Sequence, residues 1–153
     1  MQTLELKIPP VAVFLLTSLA MWLAHQSFPV FHWDFPWKNI IAGVFYAGSA
    51  FAGIAGVIAF RRACTTVHPG KPEAASCLVR EGIYRVSRNP MYLALLLALT
   101  GWTFTLANPL NLLFLPLFVL YMNRFQIQPE ERMLLKLFGS DYSAYQQSIR
   151  RWL

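Results

Sequence analysis

Residues 40–60 contain no charged side chain, and this run constrains the fold more than any other part of the chain. About 20 helical residues cross the ~30 Å hydrocarbon core of a bilayer, so the run is long enough to span it. The composition agrees, since 56% of the 153 residues are hydrophobic and 13% are charged, against about 25% charged in soluble domains. The sequence therefore predicts an integral membrane protein.

Four apolar segments predict about four transmembrane helices, and they cover residues 10–25, 40–60, 91–106 and 110–125. The first segment has almost no basic residues before it and no small-residue cleavage site after Ala24, so we interpret it as a helix and not as a signal peptide. Asn108 and Pro109 separate the last two segments, and so short a turn predicts an antiparallel helical hairpin. The second segment is rich in Gly and Ala, which predicts close packing against another helix.

A different pattern follows residue 128. Apolar side chains recur there at helical spacing with polar residues between them, and Gly139 interrupts the series, which comprises Met133, Leu134, Leu137, Phe138, Tyr142, Tyr145, Ile149 and Trp152. Such an amphipathic helix lies along a membrane surface or covers a helical bundle. The predicted fold class is all-α integral membrane, with about four transmembrane helices plus a C-terminal amphipathic cytoplasmic helical segment.

Basic residues predict the orientation. Of the 13 Lys and Arg residues, all but Lys38 fall on one side of the predicted helices. The positive-inside rule places that side, with both termini and the 61–89 loop, in the cytoplasm. The net charge of +6 then reflects topology and attraction to anionic lipid, so no nucleic-acid partner is predicted. Cys64 and Cys77 lie on the same side, which argues against a disulfide, and without paired histidines they make no metal site.

The polar segment before the third helix has two interpretations. Asn89 and Pro90 have the residue types of an N-cap and a first helical residue, so the segment can simply start a helix. A helix N-terminus beside Arg85 and Arg88 can also bind an anion such as a carboxylate or a phosphate. Tyr84 and Tyr92 would then supply an aromatic wall and a hydroxyl group.

Glu130 and Glu131 carry the same ambiguity. Acidic residues just after Pro129 suit the first turn of a helix, where they interact favourably with the helix dipole. The chain has seven acidic residues in all, and one at the edge of a bilayer span can instead hold a cationic ligand group. The sequence leaves both interpretations open.

Taken together, these motifs carry a family resemblance. The run Leu-Val-x-x-Gly-Ile-Tyr-x-x-x-Arg-Asn-Pro-Met-Tyr at residues 78–92, followed by Glu130-Glu131, Phe138-Gly139 and Tyr142-x-x-Tyr145, resembles the isoprenylcysteine carboxyl methyltransferase family and its phospholipid methyltransferase relatives. The resemblance covers about residues 64–153, and residues 65–72 are similar to the preceding loop of bacterial members. It implies a single membrane methyltransferase domain over residues 1–153, in the bacterial inner membrane, with two N-terminal helices in residues 1–60 and the catalytic, cofactor-binding part in residues 61–153.

The resemblance also implies S-adenosyl-L-methionine as the cofactor and a lipophilic small molecule or lipidated acceptor as the partner within the membrane lipid. Carried over residue by residue, the cofactor-binding residues are Ser76, Cys77, Leu78, Val79, Tyr84, Asn89, Pro90, Met91, Tyr92 and Glu130. The substrate-binding candidates are Arg124 and Gln126, which stand near the position of an acceptor-binding Arg in the family. Asn89 replaces a His of the eukaryotic enzymes, and unlike His it cannot titrate.

No residue stands out as a catalytic base, so the methyl acceptor is not fixed by the sequence. A carboxylate of the isoprenylcysteine type is the first candidate, and the amine of a phospholipid is the second. The sequence is also compatible with a sterol-type reductase that binds NADPH at the same basic helix start, and with a non-enzymatic membrane scaffold.

Overall fold

The structure is a computed structural model that describes residues 5–63 and 77–153. Within those residues it contains helices and turns and no β-strand. The α-helices are α1 at Pro10–Ser27, α2 at Lys38–Arg62, α3 at Pro90–Leu106, α4 at Phe114–Met122 and α5 at Gln128–Ser148. Short 3-10 turns lie at Pro29–Phe31, Gly82–Arg85 and Pro109–Leu113, and a π turn lies at Asn123–Ile127. The predicted all-α class is confirmed.

Helix α3 is the centre of the bundle, and its most extensive contact is with α2. The small residues of α2 allow this approach, because a Cβ atom on Gly56 would lie 3.0 Å from Cγ of Met91. At the other end, a Cβ atom on Gly101 would lie 2.8 Å from the ring of Tyr46. The residue pairs along the contact run in opposite directions in the two helices, so α2 and α3 are antiparallel. The predicted packing role of the second segment is confirmed.

Helices α1 and α4 cover the opposite side of α3. Trp102 in α3 donates from Nε1 to the carbonyl oxygen of Ser18 in α1 at 3.2 Å. A core of fully buried apolar side chains joins these helices, formed by Met21, Leu99, Phe118, Met122 and Ile127. In lipid the alternative to burial is contact with hydrocarbon, so these side chains stabilise the bundle mainly by van der Waals packing.

The outer surfaces of α1 and α2 are apolar and exposed. Three helical segments are long and apolar enough to cross a membrane, namely Pro10–Ser27, Lys38–Arg62 and the run Pro109–Ser148, while the apolar helix Pro90–Leu106 is shorter. Large side chains such as Leu15, Leu19, Val44, Phe51 and Ile54 are exposed on α1 and α2. A continuous apolar surface of this kind is typical of contact with lipid and not with water.

The fourth predicted helix differs from the observed one. We predicted a helix over residues 110–125 and a separate amphipathic helix after it, but a π turn joins α4 to α5 without a break. The predicted interruption at Gly139 is confirmed, because this residue has φ 50° and ψ −123° inside α5. The helical pattern does not reach Trp152, since α5 ends at Ser148 and Ile149 is extended.

Candidate active site

The two polar motifs meet at one end of the bundle. Tyr92, in the first turn of α3, donates a hydrogen bond from its hydroxyl to Oε1 of Glu130, in the first turn of α5. The contact joins residues that are 38 positions apart, because the α3–α4 hairpin brings its two arms together. The predicted antiparallel hairpin is thereby confirmed, and the site lies at the end of α2 that carries Arg61 and Arg62.

Glu130 lacks a cationic partner in the described part of the chain. No Lys or Arg nitrogen of residues 5–63 and 77–153 lies within 4 Å of its carboxylate, although the side chain is half-buried. A half-buried carboxylate that accepts one hydroxyl bond retains lone pairs for a further donor. Its chemistry therefore fits the ammonium group of a ligand.

Glu131, the next residue, has the opposite environment. The Arg151 guanidinium binds it in a fork, with Nη2 at 2.6 Å from Oε2 and Nε at 3.1 Å from Oε1. Arg88 Nη1 also lies 3.1 Å from Oε1, without the alignment of a hydrogen bond. The fork raises the pKa of Arg151 above its usual value. Glu131 is thus a structural ion-pair centre.

Asn89 occupies the predicted N-cap position of α3, but its side chain makes no cap. Instead, Nδ2 donates to the carbonyl oxygen of Arg151 at 2.9 Å, and the Asn89 amide donates to Oγ of Ser87 at 3.1 Å. The expectation that Asn89 caps the helix through its side chain is therefore wrong. The consequence is that no side chain of residues 5–63 and 77–153 caps the first N–H groups of α3, and these can meet an anionic group.

The segment before α3 supplies a half-buried wall. Gly82 has φ +60° and starts the 3-10 turn, which turns the Tyr84 side chain inward against Phe60 with ring centroids 5.4 Å apart. Burial raises the pKa of the Tyr84 hydroxyl. The backbone carbonyl oxygen of Tyr84 accepts a hydrogen bond from the Tyr145 hydroxyl at 2.7 Å. Cys77 Sγ donates to the carbonyl oxygen of Ala63 at 3.1 Å.

The remaining cofactor candidates divide between the core and the edge of the described chain. Val79 and Pro90 are buried, while Leu78 and Met91 are half-buried. Met91 packs on Gly56 of α2 and so contributes to the helix contact. Ser76 lies outside the described residues, as do Cys64 and the 65–72 loop.

The two substrate candidates contact the N-terminal segment, residues 5–8. Arg124 Nη1 donates to Oε1 of Glu5 at 2.7 Å, and Gln126 Nε2 donates to the carbonyl oxygen of Ile8 at 2.5 Å. The Glu5 carboxylate also pairs with Arg132, and these two arginines lower its pKa. The structure thus places Arg124 and Gln126 against the same N-terminal segment, residues 5–8. It does not join either residue to Glu130 by a hydrogen bond.

Sequence reasoning missed Arg151, Trp152 and Asn123. Trp152 Nε1 donates to Oδ1 of Asn123 at 3.0 Å, within the π turn. No local pattern indicates such a contact. Residues 149–153 follow the end of α5 at Ser148 and return to the bundle as irregular chain. π turns are frequent at functional sites, but their sequences carry no distinct signature.

Comparison with known proteins supports an assignment for this site. Residues 37–141 match the sequence profile of the family described as Phospholipid methyltransferase. A Haemophilus influenzae protein described as an uncharacterized protein is 49% identical over 63 residues, which are 41% of this chain and 100% of that protein. The Protein-S-isoprenylcysteine O-methyltransferase of Saccharomyces cerevisiae is 32% identical over 82 residues, or 52% of this chain and 33% of the yeast protein.

The family match includes α2, α3, the π turn and the site around Tyr92 and Glu130. The present chain spans about a third of the yeast relative's length. The helical bundle with its lipid-facing surfaces agrees with a membrane enzyme, and the family supports methyl transfer over the reductase interpretation. The chain belongs to the phospholipid methyltransferase family and is an integral membrane protein.

Proposed function

We propose that the protein transfers a methyl group from S-adenosylmethionine to a lipophilic acceptor at the cytoplasmic edge of the membrane. The observation that carries this proposal is the Glu130 carboxylate, which is half-buried, bonded to Tyr92 and free of ion pairs among the described residues. When bound, S-adenosylmethionine would supply an electrophilic methyl group on a sulfonium.

The residues present can bind the amino-acid part of that cofactor at both of its charges. Glu130 would accept hydrogen bonds from the ammonium group, with Tyr92 orienting the carboxylate. The uncapped first turn of α3 would donate N–H groups to the cofactor's carboxylate. Residues 77–79 and Tyr84 would line the remaining part of the site.

This chain contributes to methyl transfer by orientation and by exclusion of water. Holding an acceptor in line with the methyl group removes most of the entropic cost of a bimolecular reaction. A carboxylate acceptor needs no base, whereas an amine must first be neutral. The carboxylate of an isoprenylcysteine type of acceptor therefore suits a site in which none of the described residues stands out as a base, and the yeast relative's name supports it.

Arg124 is our candidate for the acceptor's anionic head, with Gln126 beside it. Both belong to the π turn, and Arg124 now binds the Glu5 carboxylate. Glu5 stands where an acceptor carboxylate would bind, so the acceptor would displace residue 5 from Arg124. An apolar tail would remain among the lipid-facing helices, where each buried methylene contributes about 0.8 kcal/mol.

The test is calorimetric titration of the detergent-solubilised protein with S-adenosylmethionine. Glu130→Gln should weaken binding about 10- to 150-fold, because a hydrogen bond to a charged group contributes about 1.5–3 kcal/mol. The matched control is Glu81→Gln, the same change at an exposed carboxylate, which should bind like the parent.

Equal affinity in the parent and Glu130→Gln would remove Glu130 from the site, and no binding by the folded parent would reject the cofactor. The same preparations, given prenylcysteine analogues and phosphatidylethanolamine, distinguish a carboxylate from an amine acceptor by the product formed. Methylation of neither class would reject a lipid acceptor of these two types.

A further inference from the structure

Residues 149–153 form a strap that crosses the start of α3. The strap leaves α5 after Ser148, where Ile149 is extended, and continues as irregular chain with a bend at Arg151. Its backbone accepts three hydrogen bonds from the residues that lead into α3. The Arg88 amide donates to the carbonyl oxygen of Arg150 at 3.1 Å. Asn89 Nδ2 and Ser87 Oγ donate to that of Arg151 at 2.9 Å and 3.5 Å. The strap therefore holds the residues that precede the first turn of α3.

Arg151 extends the same strap to α5. Its guanidinium forks onto both carboxylate oxygens of Glu131, as described above, and such bidentate pairs fix direction as well as distance. One residue thus binds the α3 start through its carbonyl group and the α5 start through its side chain. Glu130 immediately precedes Glu131 on that α5 turn.

Trp152 gives the strap a third attachment. Its Nε1 bond to Asn123 reaches the π turn, and its ring packs against the buried core. The strap thereby bonds to the residues that lead into α3, to the π turn and to α5. In the described part of the chain, no other single segment bonds to all three.

We infer that Arg151 is a positioning residue for cofactor binding, an inference that depends on the proposed function. The ammonium and carboxylate groups of the cofactor's amino-acid part share one carbon atom, so their partners in the protein must lie at a fixed separation. Those partners are Glu130 on α5 and the first N–H groups of α3. Arg151 adds to the direct Tyr92–Glu130 bond in fixing this separation. Its carbonyl oxygen accepts a bond from Asn89, which precedes α3, and its guanidinium binds Glu131, which follows Glu130.

Arg151→Lys tests the inference, because it keeps the charge and loses the fork. A displaced Glu130 would lose hydrogen bonds to the cofactor's ammonium group, so we expect S-adenosylmethionine affinity to fall about 10- to 100-fold. The Michaelis constant for the cofactor should rise by the same factor, while kcat at saturating cofactor changes much less. The matched control is Arg150→Lys, which alters an exposed side chain and leaves its carbonyl group in place.

A second readout does not depend on activity. Amide hydrogen exchange over residues 88–92 should be faster in Arg151→Lys than in the parent, and saturating S-adenosylmethionine should restore protection. A purely structural role would instead lower kcat and binding together, in proportion to the folded fraction measured by thermal unfolding.

The outcomes separate this inference from the proposed function. If the parent binds the cofactor and Arg151→Lys binds it equally well, Arg151 does not position the site although the function stands. If activity follows only the folded fraction, Arg151 is structural and the inference also fails. If the folded parent does not bind S-adenosylmethionine, the proposed function fails first and the inference with it.

Discussion

Two segments from opposite ends of the described chain hold the region around the π turn, and both use a carboxylate that binds two arginines. Residues 5–8 contribute Glu5, which pairs with Arg124 and Arg132. Residues 149–153 contribute Arg151, which shares Glu131 with Arg88. The two carboxylates are similarly buried, since the side chains of Glu5 and Glu131 are 14% and 11% exposed. The arginines differ: Arg124 and Arg132 are 42% and 53% exposed, whereas Arg88 and Arg151 are 11% and 32% exposed.

The difference in arginine burial predicts different roles for the two ion-pair clusters. Exposed pairs are screened by water and salt and contribute little to stability. A buried pair is costly to disrupt, because removal of one partner leaves an uncompensated charge in a poorly solvated place. The N-terminal segment is therefore suited to release, and the strap is suited to fix geometry.

The largest expected effect comes from the buried side of this comparison. Glu131→Gln should lower the free energy of unfolding by about 3 kcal/mol, the lower end of the range for breaking a buried pair, because Arg151 keeps 32% of its side chain in solvent. Chemical unfolding in a fixed detergent measures it. Glu81→Gln, at an exposed carboxylate, is the control. If Glu131→Gln lowers the free energy of unfolding no more than this control does, the strap and the N-terminal segment do not differ in the way proposed.

A smaller effect is expected at the exposed side. Glu5→Gln should change stability much less than Glu131→Gln, and its difference from the parent should disappear in about 1 M salt, where the Debye length is about 3 Å. The Glu131→Gln difference should persist at that ionic strength. If the stability difference between Glu5→Gln and the parent also persists in high salt, interactions other than exposed ion pairs hold the N-terminal segment in place.

The smallest effect concerns pH. The hydrogen bond from Arg124 and the charge of Arg132 lower the pKa of Glu5 below its usual 4.5. A lowered pKa means that the charged Glu5 stabilises the docked segment above pH 4.5, and that this contribution is lost as the pH falls through the lowered pKa. Protection of the Leu6 amide, which donates to the Phe125 carbonyl oxygen at 3.0 Å, reports docking. Glu5→Gln should abolish this acid-dependent step, and an unchanged step would assign it to another group.

Much of the fold follows from local pattern. The apolar runs predicted α1, α2 and α3 to within two residues at each end, since a helix in lipid must be long, apolar and uninterrupted. The π turn was not predictable in the same way. Residues 123–127 carry no pattern that distinguishes a π turn from an α-helix. The turn contacts residues 5–8 and Trp152, which come from distant parts of the chain.

The site was predictable at its motifs and not at its connections. Tyr92 and Glu130 belong to separate motifs of the sequence, and the hairpin between them made their contact a reasonable expectation. The distinct environments of Glu130 and Glu131 were not predictable, because adjacent residues share the same sequence context. The strap that follows Ser148 shows which of the two carboxylates is already paired with an arginine, because Arg151 binds Glu131.

The π turn also determines where this chain can change length. A π turn holds one residue more than the α turn that replaces it, and each α-helical residue advances the helix by about 100°. Deletion of one residue within Asn123–Ile127 can therefore leave the helical phase of α4 and α5 unchanged. A deletion within α4 would instead bring Glu131 to the face that Glu130 now occupies. A single-residue deletion is thus tolerable at the π turn, and there it would alter the direction of Arg124 and Gln126 while Glu130 continues to face Tyr92.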